Sequence, residues 1–291
     1  MVMLTSEIPA LWWLGVAVIW TIAAFFLTLK GGWLSIADRS EAFPFSARQF
    51  FLMIVALIIA FALYIACFVV SQSMSRAFQQ IPIASSFGVL SQGEWSAIEQ
   101  IVGLILGSIA VYAVSSLLPT DLSSIVRGKS DQLKKLGKGM AFGFLFVPVI
   151  MLSTWFIGLI ISIVSPETRA PQVALEVLSH LRNGSVLFWM LILSIVCIVP
   201  YVEEMLFRGF LQGFLNGICH PTLSILLTSA AFALFHYSPL QKSSNFEIMI
   251  GLFVFSILAS KIRIKEDSIY ASIGMHSAFN ATSLCLFFGL S

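Results

Sequence analysis

Residues 200–215 read PYVEEMLFRGFLQGFL, a run in which Glu203, Glu204 and Arg208 are set among Phe, Leu, Val and Met. The apolar character extends back to residue 186, so the whole stretch 186–215 is long enough to cross a bilayer, which takes about 20 apolar residues. A charged side chain at mid-membrane costs at least about 2.5–3.5 kcal/mol, so three of them demand partners. Glu204 and Arg208 are spaced i,i+4 and face each other on one side of a helix. Glu203 is turned about 100° away and must find its compensation on another helix, in a metal or in water.

The rest of the chain fits the same environment. Of 291 residues, 58% are apolar and only 10% charged, against about 25% charged in an average soluble domain. That balance excludes a water-soluble enzyme, a disordered chain and a nucleic-acid binder. The expected fold is all-α and polytopic, with about eight membrane helices at 9–29, 49–71, 98–118, 140–164, 186–215, 221–236, 246–260 and 268–290. The sixth and seventh are short and the fifth is interrupted by Pro200, so backbone irregularity gathers in the second half, where neighbouring helices or a wet cavity must satisfy it. The organisation expected is an N-terminal set of four helices with interfacial loops over 1–184, followed by the functional helices over 185–291. No cation precedes Lys30, so the first apolar run reads as a retained span rather than a cleaved leader. Cys67, Cys197, Cys219 and Cys285 lack paired or metal-type spacing.

Sidedness follows from the connections. Twelve Lys and Arg fall in the first, third, fifth and seventh and four in the others, so the odd connections are expected in the cytoplasm and both termini outside. The basic segment 127–138 reads as a topology anchor, and 173–182 as an amphipathic stretch on the outer interface. The small net charge of +2 points to no anionic partner.

The remaining polar residues of the late spans are His236, at the end of SAAFALFH, and His276 and Asn280 in IGMHSAFNATSLCLFF. At 1.5 Å per residue, Glu203 lies ~18 Å from the cytoplasmic end of its span, His236 ~22 Å, His276 ~12 Å and Asn280 ~18 Å. These depths overlap, so the four side chains are expected to line one cavity open to the cytoplasm. A free carboxylate, two imidazoles and an amide together suit activation of water and stabilisation of an oxyanion. Taken separately, Glu203, Glu204 and Arg208 would serve as an interhelical ion-pair network, and His276 with Asn280 as hydrogen-bonding glue. His180 and His220 fall in connections, where solvation or capping explains them.

Three motifs in order, EExxxR (Glu203, Glu204, Arg208), FxxxH (Phe232, His236) and HxxxN (His276, Asn280), resemble those of the CPBP family of intramembrane proteases. That family, also called Abi, includes the Rce1-type CAAX prenyl endopeptidases. The resemblance implies that Glu203 is the catalytic carboxylate and that Glu204 is held by Arg208. It further implies that His236 helps Glu203 activate water and that His276 with Asn280 polarises the scissile carbonyl.

The reading is therefore an intramembrane endopeptidase of the cell (inner) membrane, acting on a membrane-associated or lipidated peptide or protein at a site open to the cytoplasm. A transporter or proton relay using the same Glu and His residues is the alternative, and a membrane scaffold is a third. For cofactors two readings stand. Glu203, His236 and His276 would make a His₂Glu zinc site, whereas an amide beside His276 suits oxyanion stabilisation and favours metal-independent activation by Glu203 and His236.

Overall fold

The structure is a computed structural model that describes residues 15, 18–23, 45–80, 90–128, 132–164, 173–181 and 183–290. Among them are nine named helices and no strand: α1 (Ala47–Gln79), α2 (Gln92–Leu117), α3 (Thr120–Arg127), α4 (Gln132–Val164), α5 (Val173–Ser179), α6 (Val186–Asn216), α7 (Pro221–Phe235), α8 (Ser244–Glu266) and α9 (Ile269–Leu290). Sequence sets several of their ends. Ser46 and Ser91 each accept from the third helical amide while Gln49 and Glu94 reach back, two reciprocal capping boxes that satisfy otherwise orphaned donors. His220 caps α7 by accepting from the Thr222 amide at 3.3 Å, as expected of a histidine in a connection.

Four helices are long and apolar enough to cross a membrane: Ala47–Gln79, Gln92–Leu117, Gln132–Ile163 and Val186–Asn216. The expected total of about eight is thus met only in part. Seven of the expected spans are helical. The first, 9–29, lies outside the described residues except for 15 and 18–23. At 15 residues α7 is about 22 Å long, short of the ~30 Å hydrocarbon core. The outer faces are apolar, with Phe51, Ile58, Val69, Trp155, Ile163 and Leu193 all exposed, as lipid contact requires and water would not permit in such number. Of the stretch expected along the outer interface, Val173–Ser179 is helical. Its Leu178 and Leu181 are buried in a cluster with Ala97, Ile101, Phe188 and Leu191, so this segment packs on α2 and α6.

The main hydrophobic cluster joins both halves of the chain, running from Met53, Val111 and Ile150 to Phe207, Phe255 and Met275. The closest helix contact is α4 on α9. A Cβ built on Gly143 would lie 2.6 Å from both the Ala278 Cβ and the Met275 carbonyl oxygen, and one on Gly139 would strike the Ala271 carbonyl. The GxxxG spacing of 139 and 143 thus lets two backbones touch where hydrophobicity gives no drive between helices in lipid. This contact fixes the helix that carries His276. At its end Lys135 and Lys138 both pair with Glu266, the latter at 3.2 Å. Burial pushes the Glu266 carboxyl up, but the two lysines more than offset it and hold it below the ordinary carboxylate range.

The α6 helix departs from the regular form. Residues 194–198 and 205–211 are π-helical and bracket the α-helical Val199–Glu204. Pro200 has no amide proton to give, and the wider register is visible where the Val199 amide donates to the Ser194 carbonyl and the Gln212 amide to that of Phe207. The interruption expected at Pro200 is therefore a pair of wide turns around the acidic residues, with the helix continuous.

Candidate active site

Glu203 and Glu204 sit between the two wide turns of α6, His236 follows the last turn of α7, and His276 and Asn280 lie on α9. The two carboxylates part company as the i,i+4 argument requires. Glu204 is fully buried and accepts from Arg208 Nη1 at 2.9 Å, and the pair is held even though 205–211 is π-helical. The guanidinium lies over the Phe232 ring at 4.4 Å and near that of Phe255 at 5.7 Å, a buried cation–π arrangement.

Glu203 faces two imidazoles. His236 Nε2 is 3.6 Å from its Oε1, and His276 Nε2 is 3.8 Å from its Oε2. Both separations exceed a direct hydrogen bond, so neither oxygen is held by an imidazole. Ring orientation follows from the far nitrogens. His236 Nδ1 donates to the Phe232 carbonyl at 2.8 Å, which leaves Nε2 as the nitrogen that faces Glu203. His236 is also the most open member, its side chain 27% exposed against 9% for Glu203 and 5% for His276.

His276 Nδ1 donates to Glu204 Oε1 at 2.9 Å, so Glu204 serves Arg208 and His276 at once. This second partner, 72 residues away, was invisible to spacing rules. Asn280 is one turn from His276, and its Nδ2 donates to the Ile195 carbonyl at 2.8 Å, inside the first π segment. One of its two amide protons is thereby used in fixing α9 to α6. Two further residues belong to the site. Phe255 on α8 lies 4.8 Å from the His276 ring. Tyr64 on α1 is buried and packs on Phe235, whose ring in turn lies 6.1 Å from that of His236. A single tyrosine in an early span carries no signal that would have placed it there.

As zinc ligands the three donors fit poorly. Among the described residues no three His, Cys, Asp or Glu side chains are arranged to hold a metal.

Residues 185–282 match the family model of the type II CAAX prenyl endopeptidases, Rce1-like. The matched segment holds every site residue of α6, α7 and α9, and the resemblance carried by the three motifs is borne out over that length. No curated protein and no solved structure matches the chain.

Proposed function

We propose that this integral membrane protein is an intramembrane endopeptidase that hydrolyses a peptide bond of a membrane-associated or lipidated substrate, with Glu203 as general base. The observation that carries the reading is the approach of His236 and His276, from two other helices, to the two uncommitted oxygens of a buried Glu203. In the mechanism, water enters between Glu203 and His236 and gives its proton to the carboxylate as it attacks the carbonyl carbon. His236 Nε2 takes up and returns that proton to the leaving amine, while its Nδ1 stays anchored on the Phe232 carbonyl. His276, held by its Nδ1–H on Glu204, turns Nε2 toward the scissile carbonyl, and the second amide proton of Asn280 is donated to the developing oxyanion. Glu204 and Arg208 hold His276 in place. No step passes through a metal.

The domain 185–291 carries the chemistry and 1–184 the supporting helices. All eight apolar segments lie in the bilayer of the cell membrane, with both termini outside and the site open to the cytoplasm. The test is cleavage of a membrane-derived peptide library by purified protein. Glu203→Gln should abolish cleavage with an unchanged unfolding midpoint, and a fully active Glu203→Gln protein would refute the proposal.

A further inference from the structure

One helical turn beyond the Glu204–Arg208 pair, α6, α7 and α8 meet along a buried polar seam that the site described above does not use. Its floor is set by two long hydrogen bonds, Gln212 Nε2 to the Ser260 carbonyl and Ser224 Oγ to the Gln212 carbonyl, each 3.4 Å. Four residues along each of these helices, toward the site, come Arg208, Thr228 and Ser256. Thr228 is i,i+4 with Phe232, and Ser256 adjoins Phe255, the two rings that flank the guanidinium. Thr228, Ser256, Ser260 and Gln212 have no exposed surface, and Arg208 is 1% exposed. The Nε and Nη2 of Arg208, the Gln212 Oε1 and the hydroxyls of Thr228, Ser256 and Ser260 all lack a hydrogen-bond partner among the described residues.

Six such atoms in one seam are not tolerated dry, because a buried polar group without a partner costs about as much as a lost hydrogen bond. The chemistry of the set decides what answers them. Arg208 offers only donors, Gln212 Oε1 only accepts, and the hydroxyls do either. An anion cannot donate to Gln212 and would lie one turn from the Glu203 and Glu204 carboxylates. A cation is repelled by the guanidinium. We propose that this seam is a built internal water site, in which bound water accepts from Arg208 and donates to Gln212 and the hydroxyls. Its role is positioning: water fixes the guanidinium plane, the guanidinium fixes Glu204, and Glu204 fixes the His276 ring.

The sign of a stability change tests it. A hydroxyl that is dry and unpartnered is improved by an apolar isostere, whereas one that binds water is harmed. The full chain in nanodiscs is compared with Thr228→Val, Ser256→Ala and the double variant by thermal unfolding. Each single variant should lower the midpoint by about 2–4 °C, and the double variant by less than the two together, since both lose the same water. Radiolytic hydroxyl labelling of the unsubstituted protein reads the water directly. Phe232 and Phe255 should be oxidised despite full burial, and several-fold less in the double variant. Midpoints equal to or above the parent in both single variants, or rings that stay unlabelled in the parent, would overturn the proposal.

Discussion

Replacing Arg208 by alanine separates the architecture of the site from its chemistry, and the structure sets the size of the effect. Arg208 and Glu204 are both fully buried and 2.9 Å apart, and removing one member of such a pair costs about 3–5 kcal/mol because a charge is left alone in low dielectric. His276 Nδ1 remains on the same Glu204 oxygen at 2.9 Å, which places the loss near the lower end of that range, about 3 kcal/mol. The lost stacking of the guanidinium over Phe232 at 4.4 Å adds on the order of 2 kcal/mol for a desolvated cation–π contact. The total is about 5 kcal/mol, or a fall of roughly 10–20 °C in the unfolding midpoint. Glu203→Gln is the control. Neither of its oxygens is within hydrogen-bond distance of an imidazole, so less than about 1 kcal/mol is expected from it. The assay is thermal unfolding followed by tryptophan fluorescence in one detergent at one protein concentration, with cleavage activity measured in parallel. An Arg208→Ala protein that melts with the parent, or a Glu203→Gln protein that melts as low as Arg208→Ala, would refute the division of labour between the two carboxylates.

His236→Ala should remove activity while shifting the midpoint by no more than a few degrees, since the side chain is partly exposed and its ring bond is to a local carbonyl; a loss of the fold itself would contradict this. Gly139→Leu should unfold the protein or displace α9, because its side chain would enter the Ala271 carbonyl; cysteine cross-linking between α4 and α9 in the variant reads the displacement. Glu266 has a folded-state affinity for protons below the unfolded one, so its contribution is fully present above the unfolded carboxylate value of about 4.3 and is lost as pH falls through the lower folded value. The difference in unfolding midpoint between the parent and Glu266→Gln should therefore be constant near neutrality and shrink in acid; a difference that grows in acid has the wrong sign. Activity should survive exhaustive chelation to substoichiometric metal, and activity that is lost with zinc and restored by adding it would overturn the metal-independent mechanism.

Much of this protein was legible in one dimension. Hydropathy is a property of each residue in its window, so the all-α class and the four long apolar helices follow from composition and run length without knowledge of any contact. The cost of charge in lipid is equally local, and it marked Glu203, Glu204, His236 and His276 as groups that must meet. The i,i+4 spacing of Glu204 and Arg208 named one partner because both members lie on the same helix. Partnerships between helices depend instead on axial rotation, tilt and depth, and these are set by packing. Only the tertiary structure shows that the close α4–α9 contact at Gly139 and Gly143 brings His276 Nδ1 onto Glu204, or that α1 packs Tyr64 on Phe235 near the His236 ring. The wide turns of α6 on either side of Val199–Glu204 also escaped the sequence, since backbone register answers to the sum of the neighbouring contacts and only in part to Pro200.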